Sequence, residues 1–138
     1  MKTILFFICV LLAFVSCEKE EEIPKQISEG TYVGTFQRQI VWAESDTANI
    51  TLTFNDNQWS GSSNFEKYPA LCHGTYSLDE DSIIFENECD WTAEFDWSLI
   101  LAGKYLLTKT ENTIEFSKDY LSATSDTYID KYILTKQE

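Results

Sequence analysis

The chain has 138 residues, of which 10 are Lys or Arg and 23 are Asp or Glu, giving a formal charge of −13. That length suits one domain built on one core. A field of that sign repels phosphate backbones and anionic lipid surfaces, which excludes nucleic acid and polybasic membrane contact as modes of action. Charged partners should be basic proteins, basic peptides or cations. No Asp-x-Asp-x-Asp-Gly loop is present to hold calcium, and neither a structural metal nor a cofactor is expected.

At the start, Lys2 supplies a positive charge, Ile4 to Val15 an apolar run of twelve residues, and Ser16 a small residue before Cys17. This is the layout of a secretory signal peptide over residues 1–16. Twelve residues are too few for a membrane-spanning helix, which needs roughly 20. Ser16-Cys17 resembles the lipobox of bacterial lipoproteins, with Phe14 where Leu is usual. The resemblance implies cleavage before Cys17, acylation of that residue, and stable anchoring through several acyl chains. Loss of Lys2 with the signal would take the charge from −13 to −14.

Residues 17–29 read as an acidic, flexible tether, since Glu18 to Glu22 and Pro24 oppose a packed element. Lys19-Glu20-Glu21 also resembles the export signal of Bacteroidota lipoproteins. That resemblance implies a lipid-anchored protein of the outer membrane, displayed at the cell surface or otherwise facing the periplasm.

From Gly30 onward, apolar and polar residues alternate to the end of the chain, which predicts an all-β domain over residues 30–138. The predicted strands are Gly30 to Trp42, Ala48 to Asn55, Gln58 to Phe65, Cys72 to Leu78, Ser82 to Glu88, Trp91 to Leu101 turning or bulging at Ala102-Gly103 into Lys104 to Lys109, Thr113 to Lys118 and Thr127 to Lys136. The count is eight, or nine if Gly103 breaks the long stretch in two. Trp91, Ala93, Phe95, Trp97, Leu99 and Leu101 give the cleanest period-two signal. Turn residues separate the strands, and Pro69 excludes a central strand at its position. Short connections favour sequential antiparallel neighbours, and a sheet of such strands removes its edges by closing into an up-and-down barrel. An open two-sheet sandwich is the alternative.

Gly30-Thr31-Tyr32 is similar to the Gly-x-Trp opening of lipocalins, and Tyr132-x-Leu134 resembles the final strand of lipocalin-like domains in Bacteroidota lipoproteins. The resemblance implies an antiparallel lipocalin-like barrel holding a small apolar ligand. Trp59, Tyr76, Phe85, Trp97 and Tyr105 are the candidate lining. It also implies a basic residue packed over the first-strand aromatic, a place that Lys131 or Lys136 could take.

Cys9 leaves with the signal and Cys17 carries the lipid, so Cys72 and Cys89 remain. They flank a hairpin turning at Glu80-Asp81. With Leu78 opposite Ile83, counting back along both strands sets Cys72 opposite Cys89, in a pair whose Cα atoms approach to about 4.5 Å. A disulfide fits that spacing, and an exported location permits it.

Little in the chain points to catalysis. His73 is the single histidine, no Gly-x-Ser-x-Gly elbow exists, and no free thiol remains to act as a nucleophile. One histidine is too few for an ordinary zinc site. The expectation is a monomeric binding protein, not an enzyme. Besides an enclosed ligand, a rigid barrel displaying its loops to a protein partner fits the charge. Small bacterial barrel lipoproteins that inhibit basic host hydrolases such as lysozyme work in this way. Asp46-Thr47-Ala48 and Asp81-Ser82-Ile83 further resemble the O-glycosylation pattern of exported Bacteroidota proteins.

Overall fold

The structure is a computed structural model that describes residues 26–121 and 127–138. Residues 1–25, and with them the expected signal, Cys17 and the Lys19-Glu20-Glu21 stretch, lie outside the described residues. Eight strands follow in order: β1 (Gly30–Ile40), β2 (Thr47–Asn55), β3 (Gln58–Ser63), β4 (His73–Asp79), β5 (Ser82–Asn87), β6 (Gly103–Lys109), β7 (Thr113–Tyr120) and β8 (Tyr128–Lys136). Each pairs antiparallel with the next, and β8 pairs back onto β1, closing the barrel. Closure leaves no exposed edge, and the architecture is that expected of a lipocalin-like fold.

Strand parity decides what lies inside. In β1 the even-numbered residues turn inward, so Tyr32, Phe36 and Arg38 are buried while Val33 is exposed. The same period places Ile50, Leu52 and Phe54 of β2, Tyr132 and Leu134 of β8, and Ile114 and Phe116 of β7 in the core. Aromatic rings fill the interior. Phe85 lies 5.6 Å from Trp59, 5.9 Å from Tyr105 and 5.2 Å from Phe116 between ring centres, and Phe116 stacks on Tyr132 at 4.5 Å. Gly74 lets this layer close, because a Cβ there would run into the Glu86 carbonyl and come within 3.1 Å of Trp59 Nε1.

The two ends of the barrel differ. At the turn end lie the tight connections at residues 56–57, 80–81 and 110–112, together with the segment leading into β1. Ile27, within the stretch expected to be tether, is 3% exposed and plugs this end beside Tyr32 and Tyr76. At the loop end lie the longer connections 41–46, 64–72, 88–102 and the one leaving β7.

The long alternating stretch from Trp91 is not a strand before Gly103. β5 pairs directly with β6, Ile83 opposite Tyr105, so no ladder is open to it. Asp96 instead caps a 3₁₀ turn at Trp97–Leu99, its carboxylate accepting from the Ser98 N–H at 2.9 Å. Such local side-chain bonds compete with sheet pairing. Among the described residues the strand count is therefore eight, with Gly103 at φ +87° starting β6.

Candidate functional site

Arg38 sits on β1 directly opposite Asp130 on β8. Parity turns both inward at the loop end, where Arg38 is 7% and Asp130 1% exposed. Nε donates to Asp130 Oδ1 at 2.7 Å and Nη2 to Oδ2 at 2.7 Å. Nη1 donates to Asp96 Oδ2 and to Ser98 Oγ, each at 2.9 Å, and Nη2 donates also to the Ser98 carbonyl at 3.1 Å. All five guanidinium N–H groups are thereby used. The Tyr128 ring lies 4.0 Å below the guanidinium carbon, adding a cation–π contact. One side chain thus pins the 88–102 connection over the mouth of the barrel.

Partners rather than water hold the charges of Arg38 and Asp130, while the Asp96 carboxylate stays exposed. Burial opposes the charged guanidinium, but Asp130 outweighs it and holds Arg38 above its ordinary range. Burial pushes the Asp130 carboxyl up against the pull of Arg38. For Asp96 burial also favours the neutral form, yet the Ser98 hydrogen bonds and the Arg38 charge prevail and lower it. Burial raises Tyr105 and Tyr132 below this layer, and pushes Tyr120, which stacks on Tyr128 at the loop end, up to about 12.

The 64–72 connection joins the same lid. Tyr68 packs on Phe36 at 5.0 Å between ring centres, and its hydroxyl donates to the Asp46 carbonyl at 2.9 Å. Tyr68–Pro69 is a cis peptide bond. Ala70 N–H donates to the Leu99 carbonyl at 3.0 Å and Leu101 N–H returns to the Ala70 carbonyl at 3.2 Å, tying the two long connections together. Cys72 and Cys89 form the expected disulfide at the base of both, with Cα atoms 6.4 Å apart. The hairpin register is the expected one, Leu78 opposite Ile83. The Cα spacing exceeds 4.5 Å because both cysteines lie beyond the paired strands, with the Cys72 carbonyl already accepting from Gly61 of β3.

Around this lid the surface is apolar and acidic. Trp42 is 94% exposed and Leu121 80%, and Val41, Trp97 and Phe65 are exposed with them. Trp91, Phe95 and Trp97 follow one another with ring centres 5.6 and 6.5 Å apart, and Lys67 Nζ lies 5.0 Å from the Phe95 centre. Glu44, Asp46, Glu66, Glu88, Asp90 and Glu94 are exposed on the same connections.

Four of the five candidate lining residues, Trp59, Tyr76, Phe85 and Tyr105, are in the core and pack against one another or their neighbours. Trp97 is outside, on the 3₁₀ turn. Of the two lysines, Lys131 reaches Glu115 at 2.7 Å, while Lys136 lies opposite Tyr32 in the register and against Gly30. His73 rests against the disulfide, with Nδ1 3.3 Å from Cys72 Sγ and 3.2 Å from Cys89 Sγ. Arg38 and Asp130 were detectable from their phase alone, being opposite charges at inward positions of the first and last strands. A recess of about 340 Å³ at the turn end is lined by Ile27, Tyr32 and Ile114 together with polar residues that include Lys109 and Glu111. A larger, shallow depression of about 600 Å³ on the outer wall, lined by residues such as Gly34, Asn49 and Ser62, gathers no titratable group. No family model, characterised protein or solved structure matches the chain.

Proposed function

We propose that the protein is a lipid-anchored binding module, a bacterial lipoprotein of the Bacteroidota type, whose barrel presents its loop end to a basic protein partner. The carrying observation is the division of the aromatic residues. Core rings occupy the interior in mutual contact, whereas Trp42, Trp97, Phe65, Val41 and Leu121 stand exposed at the loop end. Aromatic anchors ringed by charge are the composition of energetic centres in protein interfaces. Exposed carboxylates on the same connections, in a chain of charge −13, favour a partner rich in Lys and Arg and speed its approach. β1 begins at the opposite end, so a tether from Cys17 would hold the binding face away from the membrane. Binding rather than turnover is the reading, with inhibition of a basic hydrolase as one outcome of such binding.

The test compares wild type with a Trp42→Ala/Trp97→Ala variant in capture of basic proteins at low salt. Retention by wild type, weakened at least tenfold in the variant and fading with added salt, supports the reading. Equal retention by both proteins, or none by either, counts against it. For the address, Cys17→Ser should release the chain from membranes; a variant that stays membrane-bound refutes acylation as the anchor.

A second reading, a small apolar ligand, has one observation in its favour. The turn-end recess of about 340 Å³ is within the size range of small-molecule sites, roughly 300–1,000 Å³. Native mass spectrometry after mild extraction tests it: an adduct lost on denaturation supports it, and a bare mass sinks it.

A further inference from the structure

Among the described residues, and apart from the Arg38 network, one further group of metal-ligating side chains converges. Cys72, His73 and Cys89 each offer a ligand atom, and these atoms all lie within 4.8 Å of one another. His73 is exposed and both cysteines are half-buried, so ions and small thiols reach them. The disulfide needs only the two sulfurs, and the Arg38 lid makes no use of His73; yet the ring is turned so that Nδ1 faces both sulfurs at 3.3 and 3.2 Å.

The geometry points to a redox-gated site for a thiophilic divalent cation of the zinc type, formed by Cys72, His73 and Cys89 when the disulfide is reduced. Two thiolates and one imidazole are a zinc donor set, with the fourth position left for water. Reduction is a thiol exchange. An external dithiol supplies two electrons and two protons, the Cys72–Cys89 bond breaks to give two thiols, and the dithiol closes to its own disulfide. Metal entry then releases the two thiol protons to solvent, forming two metal–sulfur bonds and one bond to Nδ1 of His73.

Thiolates on a tetrahedral ion at about 2.3 Å stand about 3.8 Å apart. Cysteines with Cα atoms at 6.4 Å reach that separation by side-chain rotation. Neither cysteine belongs to the buried core, which lies among the aromatic rings below the lid. In the metal-bound state the 64–72 and 88–102 connections would stay joined at the point where the disulfide joined them, so the ion substitutes for the bond.

The full chain, reduced with a phosphine under anaerobic conditions, is titrated with Co²⁺ as a coloured stand-in and then with Zn²⁺. The expected result is a thiolate-to-cobalt charge-transfer band with tetrahedral d–d bands, saturating at one ion per chain and bleached by Zn²⁺. A Cys72→Ser/Cys89→Ser variant should lose the bands. His73→Ala should weaken binding about 10- to 100-fold, the loss that even an outer partner of a metal ligand causes. Near-ultraviolet circular dichroism, followed throughout, should retain the signal of the packed rings. Absence of the charge-transfer band, bands that persist in the double variant, a His73→Ala loss well short of tenfold, or collapse of the aromatic signal on reduction would each overturn the proposal.

Discussion

Arg38 and Asp130 face each other across the seam where the barrel closes, and their side chains meet in two hydrogen bonds of 2.7 Å. A slip of β8 by one residue in that seam would turn Asp130 and every inward ring of β8 out of the barrel, leaving Arg38 inside without its partner. The pair therefore sets the register of closure as well as the position of the lid.

Removing the acid alone should be costly. Asp130→Ala leaves a 7% exposed guanidinium without its bidentate partner, a situation that typically costs about 3–5 kcal/mol. Urea unfolding of the variant should show that loss as a lower midpoint. A loss under about 1 kcal/mol would mean that Asp96 and Ser98 suffice to hold Arg38.

Acid stability should carry the mark of Asp96. Its folded carboxyl titrates below the ordinary range, so the unfolded chain binds the proton first as pH falls. The stabilisation is complete above the unfolded value of about 4 and disappears as pH drops through the folded one. Asp130, raised by burial, works in the opposite sense. Asp96→Asn should thus flatten the acid limb of the stability curve, and an unchanged limb would show that Asp96 is not its source.

Alkaline titration should separate the tyrosines. Tyr105 and Tyr132 are raised by burial and Tyr120 is pushed up to about 12. Their unfolded counterparts ionise near 10, so stability declines as pH rises above that value. Phenolate absorbance should rise in two steps, the later one coinciding with loss of the folded circular dichroism. A single reversible step of all seven tyrosines near pH 10 would contradict the packing described for the core.

Gly74→Ala should destabilise the barrel although it adds one methyl group. The new carbon would collide with the backbone of Glu86 and crowd Trp59, whose indole N–H donates to the Thr75 and Glu86 carbonyls at 3.1 Å each. Overpacking of this kind costs about 1–3 kcal/mol. Thermal unfolding of the variant checks it, and an unshifted midpoint would show that β4 and β5 can part without penalty.

The barrel was legible in the sequence because closure needs only period-two strands and short turns, and both are local. The Cys72–Cys89 pairing was legible for the same reason, since the Glu80-Asp81 turn fixes one register for the whole hairpin. The stretch before Gly103 misled because alternation records which residues are apolar and not what they face. Trp91, Phe95 and Trp97 stack along a surface loop, and the ladder they would have joined is already filled by β5 and β6. Ile27 was hidden in an acidic context that reads as tether, although its side chain is buried and the Tyr32 hydroxyl donates to the neighbouring Ser28 carbonyl. The lid itself was illegible beyond the phase of Arg38 and Asp130, because Asp96 and Ser98 reach Arg38 from 58 and 60 residues away in sequence.

β1 lies between β2 and β8 along most of its length, and enters from the turn end while the exposed aromatic residues stand at the other. A pull between a tether at the start of β1 and a partner held by the loops would run parallel to the strands. Such a load shears both ladders at once instead of peeling them bond by bond. The fold would therefore resist traction along its strands far better than across them.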